Sequence, residues 1–150
     1  MRKKESIEQF LASKKIAVAG VSANTQKFGY AIFNELREKG FEICPINPKM
    51  DEIENVKCYQ SVLDIPDEYD KLFIVTPKTE TDLILEQAAE KGIKHVWIQQ
   101  MSGTENSRTI ADKKGINLID KSCILMYAEP VKSIHKFHRI IWKIFGLLAK

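Results

Sequence analysis

Three short junctions constrain this chain more than any other feature. Glu38-Lys39-Gly40-Phe41, Glu90-Lys91-Gly92-Ile93 and Lys113-Lys114-Gly115-Ile116 share one form, a basic residue, a glycine and an apolar residue. A lysine near a helix C-terminus complements the helix dipole, and a glycine just beyond it takes the left-handed conformation that stops the helix. The apolar residue then begins a strand. Each junction lies between a helical pattern and a short apolar run, so the chain reads as repeated βα units. Parallel strands joined by right-handed crossovers follow from that repetition.

The apolar runs predict strands over residues 15–20, 41–46, 71–75, 95–99 and 116–119, with helices over 29–39, 80–91 and 104–114. A short helix is expected over 5–13, with Ile7, Phe10 and Leu11 on one face. The prolines of Asn47-Pro48 and Thr76-Pro77 stop the second and third strands, because proline cannot continue a ladder. Residues 56–59 suit a short extra strand and 61–63 a helical turn, and Ser102-x-x-Glu105 has the form of a capping box. The expected fold is α/β: a doubly wound parallel sheet of about five strands, in one domain spanning the 150 residues. An added amphipathic helix is expected over residues 130–148, with Lys132, Lys136, Arg139 and Lys143 on one stripe.

Composition excludes several roles. A net charge of +3 suits an anionic ligand but falls short of a dedicated nucleic-acid binder, and the strands lack interleaved aromatics for RNA. Cys44, Cys58 and Cys123 are odd in number and show no C-x-x-C spacing, which points to a reducing compartment. Met1-Arg2-Lys3-Lys4-Glu5 is basic, but no continuous apolar core follows it and no apolar run is long enough to span a membrane. A cytoplasmic protein is expected.

Residues 16–30 hold the candidate site. An apolar strand ends at Gly20-Val21, a polar loop runs from Ser22 to Lys27, and a helix enters at Phe28-Gly29-Tyr30. In a parallel sheet such a loop lies at the carboxyl end of a central strand, where ligands bind. Gly20 and Gly29 permit close backbone approach, and a helix entrance offers free N–H groups to an anion. A dinucleotide site is opposed by the spacing Gly20-x8-Gly29 in place of G-x-G-x-x-G, and by Pro45-Ile46-Asn47-Pro48 where an acid would hold a ribose. No Walker phosphate loop occurs either. The loops instead supply Ser22 and Lys27, then Asn47 and Lys49, then Thr76, Lys78 and Thr79. A ligand with several phosphates needs such a set, because each phosphate exchanges water for charged or dipolar partners.

Gly20-Val21-Ser22, Lys27-Phe28-Gly29-Tyr30, Pro45-Ile46-Asn47-Pro48, Ser61-x2-Asp64-Ile65-Pro66 and Trp97-Ile98-Gln99 stand in this order. Together they resemble the stand-alone CoA-binding protein family, whose domain is similar to the N-terminal CoA-binding domain of succinyl-CoA synthetase alpha subunits. The resemblance covers residues 15–129 and implies a Rossmann-like sheet with coenzyme A, or an acyl-CoA, lying across the loops after strands one to three. It implies that Gly20, Val21, Ser22 and Lys27 line the first loop, with Phe28, Gly29 and Tyr30 at the helix entrance. Asn47, Pro48 and Lys49 would flank the adenosine end, Thr76 and Pro77 would form the third wall, and Gln99 would lie beside it; Lys78 and Thr79, supplied by the same loop, complete the candidate set.

Catalytic chemistry finds less support. Related acyl-CoA synthetases need a further domain with a phosphorylatable histidine, for which 150 residues leave no room. His95 reads as a packed strand residue, and the pair His135 and His138 lacks a third metal ligand. Cys123 reads as a buried inert thiol, and Asp120 and Glu129 receive no role. The expectation is a binding protein with no catalytic residue and no metal. The alternatives are a nucleotide-dependent enzyme, NAD(P) included, and a module that meets a partner or a second copy through its basic C-terminal helix.

Overall fold

The computed structural model describes residues 2–128. The helix expected over 130–148, with His135 and His138, lies outside them, as does Glu129. Helix α1 (Lys3–Ala12) leads into β1 (Lys15–Ala19), α2 (Phe28–Glu38) and β2 (Glu42–Ile46). A two-stranded hairpin follows, β3 (Glu52–Ile53) and β4 (Val56–Lys57), and then a 3-10 turn at Val62–Asp64. The chain continues through β5 (Lys71–Ile74), α3 (Lys78–Lys91), β6 (His95–Gln99), α4 (Glu105–Lys114) and β7 (Asn117–Ser122), and a second 3-10 turn covers Ile124–Met126.

The main sheet has five parallel strands in the order β2-β1-β5-β6-β7. Strand side chains alternate between two cores. Ile16 and Val18 of β1 face one with Phe73, Trp97, α1 and α2, whereas Ala17 and Ala19 face the other with Leu72, Ile74, Val96, α3 and α4. Helices therefore cover both faces, as the expected doubly wound sheet requires. Phe10 and Phe73 meet Trp97 edge-on at ring-centroid distances of 5.5 and 6.5 Å, which seats α1 on the sheet. The Trp97 ring N–H donates to the Ser122 carbonyl at 3.1 Å, so this buried aromatic leaves no donor unmet.

All three junction glycines have positive φ: 90° at Gly40, 89° at Gly92 and 69° at Gly115. The apolar residue after each returns a backbone bond into the last helical turn: Phe41 to Leu36, Ile93 to Ala88 and Ile116 to Ala111. These are the six-to-one bonds of a Schellman cap.

The structure corrects three local expectations. The N-cap of α4 is Thr104, whose hydroxyl accepts from the Ser107 N–H at 3.1 Å, so the box is Thr104/Ser107 and not Ser102/Glu105. Ser102 instead closes a turn by donating its backbone N–H to the Gln99 carbonyl at 2.9 Å. The extra strand expected over 56–59 is shorter, Val56–Lys57, and is the second arm of the hairpin. Its turn is Glu54-Asn55, with φ of 48° and 64°, the backbone that a two-residue hairpin requires. β7 runs on to Ser122, because a register shift between Trp97 and Gln99 brings Ser122 opposite Gln99.

Candidate functional site

From β1 the chain leads outward to β2 on one side, and β5, β6 and β7 fill the other. The order reverses between β1 and β5, and in open α/β sheets the crevice outside the carboxyl ends of the strands at such a reversal is where ligands bind. The loops after β2, β1 and β5 are neighbours at this edge, since Ala19 stands opposite both Ile46 and Ile74.

The floor of the crevice is backbone packed on backbone. Gly20 has φ 101°, and a Cβ there would stand 2.7 Å from the Val75 carbonyl carbon and 2.9 Å from the Thr76 nitrogen. A Cβ on Gly29 would run into the Gly20 carbonyl oxygen. Helix α2 can start directly over the end of β1 only because both residues are glycine.

Asn47 ties two loops together. Its Nδ2 donates to the Val21 carbonyl at 2.8 Å and its Oδ1 accepts from the Lys49 N–H at 2.8 Å. Within the first loop, the Asn24 N–H donates to Ser22 Oγ at 3.1 Å and the Gln26 N–H to Asn24 Oδ1 at 2.9 Å. These side-chain turns shape the polar segment without regular structure.

The helix starts around the crevice differ from one another. Neither Lys27 at the start of α2 nor Pro77 at the start of α3 caps its helix with a side chain. At α4, Thr104 caps, and Asp82 of α3 takes hydrogen bonds from Ser107 Oγ at 2.6 Å, Thr104 Oγ1 at 3.0 Å and Asn106 Nδ2 at 3.3 Å. Burial alone would raise the Asp82 pKa, but those three bonds outweigh it and lower it. A carboxylate therefore already sits at the start of α4, while the starts of α2 and α3 keep backbone N–H groups for an anion.

The residues proposed from sequence fall into two groups. Lys27, Pro48, Lys49, Pro77, Lys78 and Thr79 are exposed around the crevice, and Ser22 is partly so. The others contribute through backbone or support. Val21 is fully buried in the α2 core, Phe28 packs against that core, and the Tyr30 hydroxyl donates to Glu54 of the hairpin at 3.1 Å. Thr76 is buried and its hydroxyl meets Thr81 at 2.8 Å; Thr81 in turn donates to the Pro77 carbonyl at 3.2 Å. Gln99 is buried, and its Oε1 accepts the Ile124 N–H at 3.2 Å. No local pattern in the sequence points to Asp82, because its partners lie at the start of another helix.

The groups weighed for catalysis lie elsewhere or are engaged. His95 begins β6 at the opposite edge, where burial and then Lys71 lower its pKa. Asp120 accepts from Arg108 at 2.7 Å. The three cysteines are buried, and burial pushes the Cys44 thiol up to about 12, with Cys58 adding to the shift. A thiol so raised is a poor nucleophile. Among the described residues, no group of three His, Cys, Asp or Glu side chains could hold a metal, and no helix is long and apolar enough to cross a membrane.

Residues 14–129 match a family described as CoA binding domain. The chain is 36% identical over 119 residues to an ADP-forming acetate–CoA ligase of Methanocaldococcus jannaschii, an alignment covering 74% of this chain and 17% of the ligase. It is 44% identical over 99 residues to the alpha subunit of ADP-forming acetate–CoA ligase I of Pyrococcus furiosus, covering 62% of this chain and 21% of that subunit. The chain thus spans about a fifth or less of the length of these two enzymes. Among solved structures, a conserved hypothetical protein from Pyrococcus furiosus superposes with a TM-score of 0.72 at 38% identity, over 73% of this chain and 95% of its own.

Proposed function

The chain belongs to the CoA binding domain family, and from that premise we propose that it binds coenzyme A or an acyl-CoA across the loops after β1, β2 and β5, without catalysing a reaction by itself. The observation that carries this reading is the reversal of strand order between β1 and β5. Two helices that follow these strands, α2 and α3, start without side-chain caps, and Lys27, Lys49 and Lys78 are exposed in the loops at the same edge. CoA carries a diphosphate and a ribose phosphate, so it needs several cationic and N–H donors spread along one groove. The glycine floor supports a close approach of the diphosphate to the start of α2. Lys49, on the outer loop, suits the adenosine end.

An NAD(P)-dependent enzyme is opposed by the end of β2. Asn47-Pro48-Lys49 follows that strand where an acid would hold a ribose, and both polar atoms of Asn47 are committed to Val21 and Lys49. Binding without catalysis is supported by the engagement of Asp82 and Asp120 and by the distance of His95 from this edge.

Thermal unfolding with CoA, acetyl-CoA, NAD, NADP and ATP tests the reading. A ligand at a hundred times its Kd adds about 2.7 kcal/mol of stability. CoA or acetyl-CoA is expected to raise the melting temperature at concentrations where NAD does not. A shift with NAD and none with either CoA species would overturn it.

A further inference from the structure

Gln99 closes β6 with its side chain 2% exposed. The Ile124 N–H must meet an oxygen, which fixes Oε1 toward it and turns Nε2 the other way. That Nε2 is buried and has no partner among the described residues. Other buried polar groups do not share this condition: Thr76 is bonded to Thr81, Trp97 to the Ser122 carbonyl, and Ser107 to Asp82. An enclosed NH2 without an acceptor is a standing cost to the fold, and such groups are rare enough to need an explanation.

Position and chemistry indicate the missing acceptor. β6 lies beside β5 with Ile74 opposite Ile98, so Gln99 neighbours Val75, whose carbonyl lies against Gly20 at the crevice floor. Adjacent strands are about 4.8 Å apart, which puts Gln99 about 10 Å along the sheet edge from β1. A CoA whose diphosphate sits at the start of α2 and whose adenosine lies toward β2 sends its pantetheine arm in this direction. The arm carries two amide carbonyls and ends in the thiol or thioester. A neutral, enclosed donor suits a neutral carbonyl; it could not offset the desolvation of a phosphate.

We infer that Gln99 Nε2 donates to a carbonyl oxygen of the pantetheine arm, either an amide or the thioester, which makes Gln99 the residue that distinguishes the acyl-bearing end of the ligand from its nucleotide end. This rests on the CoA reading above. Because Nε2 is enclosed, the carbonyl reaches it by displacing the side chains over it.

Calorimetric titration of the full chain and of Gln99→Met with CoA, acetyl-CoA and adenosine 3′,5′-bisphosphate separates the possibilities. The variant removes the donor at similar volume. It should lose at least tenfold in affinity for the thiol- or thioester-bearing ligands and stay within twofold for the bisphosphate, which has no arm. Loss confined to acetyl-CoA identifies the thioester carbonyl; loss for both CoA species identifies an amide. Equal loss for all three ligands, or none for any, overturns the inference. If the unsubstituted chain binds none of them, the CoA reading falls first and takes this one with it. A measurement on the unsubstituted chain guards against a misfolded variant. Side-chain amide NMR should show one buried Gln NH2 pair moving with CoA but not with the bisphosphate, and a spectrum in which no such pair moves refutes the donor role.

Discussion

The two edges of the sheet use the same residue types in opposite ways. At the amino edge each of four lysines faces a carboxylate: Lys15 meets Glu68 at 2.9 Å, Lys71 meets Asp70 at 3.2 Å, Lys91 meets Asp67 at 3.3 Å and Lys114 meets Glu86 at 3.8 Å. At the carboxyl edge, Lys27, Lys49 and Lys78 form no ion pair among the described residues. Glycines divide likewise. A Cβ on Gly40, Gly92 or Gly115 would meet nothing within 4 Å, whereas Gly20 and Gly29 are hemmed in by backbone. One edge neutralises its own charge and uses glycine to turn the chain. The other leaves its charge unpaired and uses glycine to bring backbone close. Unpaired cations around closely packed backbone are what the proposed CoA site requires.

The largest expected effect is at Gly29. Glycine to alanine inside a helix ordinarily gains about 1 kcal/mol. Here the new methyl strikes the Gly20 carbonyl, so Gly29→Ala should lose about 3 kcal/mol in urea unfolding, as overpacking does at its costlier end. A gain would break the distinction between the edges. Asp82→Ala should follow at about 2 kcal/mol, since it strips three hydrogen bonds and an acidic group from the start of α4. The sign of its pH dependence is fixed. The carboxyl is held below its ordinary 3.8 in the folded chain, so its contribution is complete above that value and fades as pH falls through the folded one. Melting temperatures between pH 6 and 3 should therefore decline more steeply for the unsubstituted chain than for Asp82→Ala.

Lys27→Ala or Lys49→Ala should weaken CoA about tenfold, which is about 1.4 kcal/mol, and should flatten the salt dependence measured by calorimetry. At Gly115 only the left-handed backbone opposes a side chain, so Gly115→Ala should cost about 1 kcal/mol, well below Gly29→Ala. Smallest of all, Lys114→Ala removes an equal charge from the amino edge and should change stability by about 0.5 kcal/mol or less. Its CoA affinity should be untouched. Equal losses for Lys27→Ala and Lys114→Ala would mean that lysines act through net charge alone.

The junctions made the layer order readable in advance, because the lysine, the glycine and the returning apolar residue all act within six residues. Legibility failed where a partner came from far along the chain. Ser102-x-x-Glu105 and Thr104-x-x-Ser107 both fit a cap locally, and the second wins with Asp82 of α3 beside it. Thr76 is expected in the third wall because it stands in the loop after the third main strand. Its hydroxyl is taken by Thr81, which the first turns of α3 bring inward. The polar residues Asp120 and Lys121 hid the extension of β7; Lys121 has φ 59°, a local irregularity at the register shift that no periodicity encodes.

The reversal of strand order has a kinetic side. Of the four pairings in the main sheet, β1 with β5 joins the residues most distant in sequence, Ala17 with Leu72. Closing so long a loop carries the greatest entropy cost, which places this pairing late in folding. The proposed ligand site lies beside that pairing, so it is completed only as the two halves of the sheet join. A ligand seated there bridges the last seam to form, and should slow hydrogen exchange throughout the sheet rather than in one loop.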